Sequence, residues 1–170
     1  MFTDKPEHLK KFDYLGRHQY FLTFCTVGRK QFFVKADAVD TVRTQIERAA
    51  GEESVALTAY CYMPDHVHFL AEGKADDSDC LRFVARAKQF SGFHYHAKFG
   101  HRLWQRYSYE HTLRSEESAI SVARYILENP VRGGLVARIE DYPFSGSTEY
   151  TLEQILEAVQ MQDGWYRRSG

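Results

Sequence analysis

The chain has 170 residues, with 44% hydrophobic and 26% charged residues and a formal net charge of −1. That is enough chain for one domain with a sizeable core, and the composition is that of an ordinary globular protein. No apolar run approaches a membrane span, and the N-terminus lacks the apolar stretch of a signal peptide, so a cytoplasmic location is expected. Cys25, Cys61 and Cys80 are odd in number and widely spaced, which argues against a disulfide framework or a cysteine-based zinc site.

Residues 19–27 are rich in aromatic and β-branched residues and close at Gly28, the pattern of a strand. Val39, Val42, Ile46 and Ala49 recur at helical spacing over residues 36–50, and Gly51 ends the pattern. Residues 54–62 read as a second strand. The turn Met63-Pro64-Asp65 folds it back onto a third, residues 67–71, because proline cannot continue a ladder. Residues 78–94 read as a helix, and 104–113 as a short strand or extended segment. Residues 115–128 form a helix with acidic residues in its first turn and a stop at Pro130. Residues 151–160 form a last amphipathic helix. The order β-α-β-β-α-β-α predicts an α+β, ferredoxin-like fold, an antiparallel sheet with helices packed on one face. Residues 1–147 would form the single domain and 148–170 a C-terminal tail with a short helix.

The candidate chemistry starts at His66-Val67-His68. On a strand, residues two apart share a face and lie about 6.6 Å apart along the backbone, so two imidazoles can reach one divalent metal. Val67 and Phe69 then point into a core. His94-Tyr95-His96 repeats the pattern on a helix, where side chains two apart diverge by about 200° and cannot share an ion. Two imidazoles need a third donor, for which Asn129, Glu128 and Glu110 are in range along the chain. Two histidines and one oxygen donor leave positions open for a phosphate oxygen, and Mg²⁺ or Mn²⁺ suits that use. Ser121, Tyr125 and Asn129 share one helix face. That register leaves Tyr125 open to two readings, a nucleophile over the metal or a ring packed beside Ile126.

Charge is distributed unevenly. Residues 81–138 hold ten arginines and lysines interleaved with aromatic residues, and the flanking segments are mostly acidic. Cations alternating with rings make the composition of a single-strand groove, and equally of a solvated face over an aromatic core. Arg82, Arg86, Lys88, Lys98 and Arg102 are the candidate contacts to a nucleic-acid backbone. Trp104 is read as core.

Four segments carry a resemblance: Tyr62-Met-Pro-Asp-His-Val-His-Phe-Leu70, Leu103-Trp-Gln-Arg106, Tyr125-Ile-Leu-Glu-Asn-Pro-Val-Arg-Gly-Gly-Leu-Val136 and Asp141-Tyr-Pro-Phe-Ser-Gly-Ser147. In this order and spacing they resemble the single-tyrosine transposases with a His-hydrophobic-His motif, and within them the REP-associated branch. The resemblance implies a metal-dependent endonuclease and strand transferase acting on single-stranded or hairpin DNA through a 5′-phosphotyrosine. Tyr125 would be the nucleophile, His66 and His68 the metal ligands, and Asn129 the third ligand, where insertion-sequence relatives commonly carry glutamine. It also favours a monomer over a homodimer. The rival readings are a non-catalytic binder of single-stranded or hairpin nucleic acid, and a metallohydrolase using metal-bound water.

Overall fold

In the computed structural model, residues 15–114 and 119–168 are described, and the side chains of 162–168 are not. The expected acidic first turn at Ser115, Glu116 and Glu117 lies outside the described residues.

Through α3 the elements follow the expected order, and a short strand, β5, that was not expected then precedes the last helix: β1 (Gln19–Cys25), α1 (Ala36–Glu52), β2 (Val55–Met63), β3 (His66–Gly73), α2 (Cys80–Phe99), β4 (Tyr109–Thr112), α3 (Ala119–Arg132), β5 (Ser145–Gly146) and α4 (Leu152–Arg168). All strand pairs are antiparallel, in the order β4-β1-β3-β2-β5. The two strands β1 and β3 are neighbours at the centre, so what they carry is held from both sides.

Alternation divides the sheet into two faces. Tyr20, Leu22 and Phe24 of β1 join Val67, Phe69 and Ala71 of β3 in one core, closed by Val39, Val42 and Ile46 of α1 and Phe83 and Ala87 of α2. The opposite face of the sheet carries a smaller cluster: Cys61, Met63 and Leu70 under Ala123, Ile126 and Leu127 of α3 and Ile155 of α4. The expectation that helices pack on one face therefore holds for α1 and α2 alone. The reason is that β2 and β3 present apolar residues on both sides, so a second helical layer is needed to cover the histidine face. β2 changes sides at a bulge between Leu57 and Ala59, where the hydroxyl of Thr58 bonds the carbonyl of Leu70.

Two element ends matter for the site. The hairpin between β2 and β3 has only Pro64 and Asp65 between the paired residues Met63 and His66. Its carbonyls are taken by the 26–33 loop, through Thr26 to Asp65 and the Phe33 amide to Pro64. α3 runs through Pro130 to Arg132 and does not stop before it. It ends instead in a Schellman motif, with Leu135 N–H bonding the Pro130 carbonyl, Gly134 N–H bonding that of Val131, and Gly134 left-handed at φ +70°. A proline in the last turn costs one hydrogen bond, and the Gly-Gly cap is the stronger stop.

The fourth strand is interrupted. Trp104 bridges Thr26 and Gln105 N–H bonds the Cys25 carbonyl, yet regular pairing resumes only at Tyr109. Between them the Lys88 ammonium takes the carbonyls of Gln105 and Arg106, 2.7 and 3.2 Å away, and the Ser108 hydroxyl. Trp104 is core, as read: it is 5% exposed and its indole N–H bonds Ser91 Oγ.

Candidate functional site

His66 and His68 lie on the face of β3 covered by α3, with their Nε2 atoms 3.1 Å apart. Each ring is also held by its other nitrogen. Asp65 Oδ1 accepts from His66 Nδ1 at 2.7 Å, and Thr23 Oγ1 lies 2.8 Å from His68 Nδ1. Thr23 reaches His68 because the two are opposite residues in the β1–β3 register. A carboxylate can only accept, so Asp65 fixes the proton of His66 on Nδ1 and leaves its Nε2 lone pair bare. A threonine hydroxyl both donates and accepts, so His68 can carry its proton on either nitrogen. Two nitrogens about 2.1 Å from one cation, at octahedral to tetrahedral angles, are roughly 3.0–3.4 Å apart. The pair fits a divalent ion by spacing, by convergence of the ring nitrogens and by the outer partners that orient them.

Burial favours the neutral form of both rings. Desolvation lowers His66 below its usual value against the pull of Asp65, and drives His68, with the charges of His66, Arg29 and Arg132 adding to the effect, down to about 3. Asp65 is itself partly desolvated, but its bonds to His66 and Arg29 hold it below the usual carboxylate range. Arg29 is the hub: Nε donates to Asp65 Oδ2 at 2.9 Å and Nη1 to Cys25 Sγ at 3.0 Å, from a left-handed backbone at φ +53°.

The third donor is narrowed by geometry. Among the described residues no group of three His, Cys, Asp or Glu is arranged to hold a metal. Glu110 is opposite Leu22 and so lies on the α1–α2 face, away from the histidines. Glu128 is engaged by Arg124 at 2.8 Å and Arg132 at 3.1 Å. Asn129 is different. Its Nδ2 is buried without a hydrogen-bond partner among the described residues. This NH2 is a donor that calls for an acceptor such as a phosphate oxygen, whereas a cation would take the amide's Oδ1. Its end of α3 lies over the histidine end of the sheet: a Cβ on Gly133 would meet both the Asn129 carbonyl and Met63, the cross-strand partner of His66.

Tyr125 is brought to the same place. Its ring centroid is 6.2 Å from that of His68 and 5.9 Å from that of Phe21, and the side chain is 48% exposed. It is thus not the core residue that the alternative reading of its register allowed. The Arg132 guanidinium lies 4.3 Å from the centre of its ring. Phe21 also contacts Tyr109, and Tyr109 and His111 share this face by their pairing with Thr23 and Phe21. An apolar cavity of about 470 Å³ lies further along the same face, lined by Leu70, Glu72, Ala123, Tyr150 and Ile155 among others, and contains none of these site residues.

The basic residues are placed elsewhere. Arg82, Arg86, Lys88 and Lys98 belong to α2, across the sheet from the histidines. Arg86 is paired with Glu52 at 2.7 Å and Glu53 at 3.1 Å, Arg82 with Glu53 at 3.5 Å, and Lys98 with Asp37. Lys88 is turned inward, and burial, with Arg102 adding to it, lowers it to about 8. Arg102 uses Nε on the Trp104 carbonyl. An open groove of about 560 Å³ between α2 and residues 102–106 is lined by Lys88, His96, Arg102 and Arg106, with no carboxylate. His94 and His96 are exposed on α2 and far from sharing an ion. Thr23, Asp65, Arg29 and Arg132 escaped the sequence reading. Asp65 alone carried a local signal, standing beside the histidines in the turn.

These features can be set beside known proteins. Residues 15–129 match the family model described as IS200-like transposases. A REP-associated tyrosine transposase of Escherichia coli is 31% identical over 107 residues, 61% of each chain. A Haemophilus influenzae protein provisionally given the same name is 26% identical over 139 residues, 74% of this chain and 77% of its own. The fold is similar to that of a REP-associated tyrosine transposase solved bound to a REP hairpin, with a TM-score of 0.66 and 21% identity over 81% of this chain and 82% of that one. The family match spans both histidines, Tyr125 and Asn129, and the chain belongs to the IS200-like transposase family.

Proposed function

We propose that the protein nicks and rejoins single-stranded DNA at hairpin-forming repeats, with Tyr125 as the nucleophile. The observation that carries this reading is the convergence of a half-exposed phenol on two neutral imidazoles whose Nε2 atoms face one another. The Tyr125 hydroxyl attacks the scissile phosphorus, a P–O bond to tyrosine forms, and the bond to the 3′-oxygen breaks. The 3′-oxygen leaves with a proton as a free hydroxyl, and the 5′-phosphate stays on the enzyme. The reverse attack by a 3′-hydroxyl rejoins a strand without an outside energy source, because the phosphodiester has been exchanged and not hydrolysed.

His66 and His68 would hold a divalent cation, Mg²⁺ or Mn²⁺, with Asn129 as the third ligand. When bound, that ion supplies Lewis-acid polarisation of the phosphate. Asp65 and Thr23 orient the rings, and Arg29 fixes Asp65. DNA backbone contacts fall first to Arg102, joined by Arg106, at the acid-free groove. Arg82, Arg86 and Lys98 can join only by exchanging their α1 carboxylates for phosphates, and Lys88 serves the protein's own carbonyls. The similarity in fold to a REP-associated tyrosine transposase solved bound to a REP hairpin supports hairpin DNA as the substrate class, and we take the active unit to be a monomer in a cytoplasmic setting.

The test is an end-labelled hairpin substrate with single-stranded flanks, incubated with Mn²⁺ and run on a denaturing gel. A labelled protein adduct in the wild type, absent from Tyr125→Phe, is the expected result. Cleavage with no adduct would replace the phenol with water as the nucleophile, and binding without cleavage would leave only a nucleic-acid binder.

A further inference from the structure

Tyr125 is poorly held by packing. With the residue half exposed and its ring contacts to Phe21 and His68 edgewise, its two side-chain torsions need another restraint if the ring is to keep one orientation beside His68. We propose that Arg132 is a positioning residue for this nucleophile, a fixed plate on which the phenol ring rests. The inference rests on the reading of Tyr125 as the nucleophile.

Arg132 is seven residues, almost two full turns, after Tyr125, so both occupy one stripe of α3. The guanidinium is tied down at two points on its own helix. Nη2 donates to the Tyr125 carbonyl, and Nη1 donates to Glu128 Oε2 at 3.1 Å. Glu128 is held in turn by Arg124 Nε on its other oxygen, at 2.8 Å. The guanidinium carbon above the Tyr125 ring, 4.3 Å from its centre, is therefore held by the chain Arg124–Glu128–Arg132. A guanidinium can serve two acceptors and a ring face together because its donors lie in one rigid plane, whereas an ammonium cannot.

The placement has an electrostatic cost. Arg132 adds positive charge near His68, where a divalent cation would bind. A basic residue in the last turn suits the helix dipole, but lysine would satisfy the dipole equally well. Neither consideration calls for a planar group over this ring, and nucleophile positioning does.

Arg132→Met removes the plate while keeping an apolar side chain of similar length, and Arg132→Lys keeps the charge without the plane. Single-turnover adduct formation is measured with Mn²⁺ and end-labelled hairpin DNA at saturation, beside hairpin affinity over a salt series and Mn²⁺ affinity by calorimetry. The expected result is an adduct rate lower by roughly ten- to a hundredfold in Arg132→Met. Arg132→Lys should recover only part of the rate, hairpin affinity should stay within about threefold, and Mn²⁺ affinity should be unchanged or tighter. A fluorine label on the Tyr125 ring should sharpen to an averaged signal in Arg132→Met, reporting loss of the fixed orientation. An unchanged saturating rate would overturn the inference. So would full recovery by lysine, or a defect confined to hairpin affinity with a shallower salt slope, which would make Arg132 a phosphate contact. If wild type forms no Tyr125-dependent adduct, the nucleophile reading itself fails, and an unchanged fluorine signal separately shows the ring does not depend on Arg132.

Discussion

Thr23→Val tests the least obvious part of the site, because threonine and valine have nearly the same shape and differ in one hydroxyl. Thr23 is 2% exposed and His68 7%, so no solvent replaces the 2.8 Å hydrogen bond. Leaving a buried ring nitrogen without a partner costs about 1–3 kcal/mol, which sets the expected loss of stability in denaturant unfolding. Metal affinity should suffer in addition. His68 presents a bare Nε2 only when its proton is on Nδ1, and Thr23 Oγ1 is the acceptor that stabilises that tautomer. Outer partners of this kind are worth roughly ten- to a hundredfold in affinity, or about 1.4–2.8 kcal/mol. Calorimetric titration with Mn²⁺ reads the second effect directly. Thr23→Ser, which keeps the hydroxyl, should bind close to wild type. Equal Mn²⁺ affinity in wild type and Thr23→Val would refute the argument that this hydroxyl orients a metal ligand, and unchanged stability would refute the buried bond.

Further outcomes follow from the same geometry. His66→Ala or His68→Ala should abolish Mn²⁺-dependent nicking on a folded protein, while His94→Ala and His96→Ala leave it intact, both read by gel assay. Both site histidines have folded pKa values below their unfolded value near 6.5. The unfolded chain therefore binds more protons below that pH, and the metal-free protein should lose stability as pH falls from about 6.5 toward 3. Urea midpoints at stepped pH should show this slope, reduced in His68→Gln. Lys88→Met removes the bonds to the carbonyls of Gln105 and Arg106, which water can partly replace, so unfolding should be easier by about 0.5–1.5 kcal/mol with hairpin affinity nearly unchanged. Arg106→Ala should do the reverse, weakening hairpin binding with stability kept, and Arg102→Ala should weaken binding with some loss of stability from its bond to the Trp104 carbonyl. Each should lower the salt slope by about 0.7–0.9 for each phosphate left without its cation. Anisotropy titrations across salt concentrations separate the two cases.

Much of this was legible in the sequence because local rules decide it. Alternation at His66-Val67-His68 put both rings on one face, and the i, i+4 spacing of Tyr125 and Asn129 put both on one side of α3. Element order gave the strand arrangement. What escaped depends on residues far apart in the chain. Thr23 meets His68 across 45 positions through strand register, and nothing around Thr23 marks it. The basic helix read as a free groove because its neutralising partners, Asp37, Glu52 and Glu53, sit on α1 and at its C-cap, outside the segment where the charges were counted. Lys88 read as a surface cation, but the gap in the fourth strand gave it the carbonyls of Gln105 and Arg106 to serve. The stop expected at Pro130 missed the cap further on, and with it the extra turn that carries Arg132 over the Tyr125 ring.

The most direct test of the central claim is to locate the covalent bond. Wild-type protein is trapped with hairpin DNA and Mn²⁺, the DNA is digested down to a short remnant, and the protein is cleaved with trypsin. Cleavage after Arg124 and Arg132 releases residues 125–132, in which Tyr125 is the only tyrosine. Mass spectrometry should find this peptide carrying a nucleotide through phosphate on Tyr125. A nucleotide on the 107–114 peptide, which holds Tyr107 and Tyr109, or an unmodified protein after complete strand cleavage, would contradict the account.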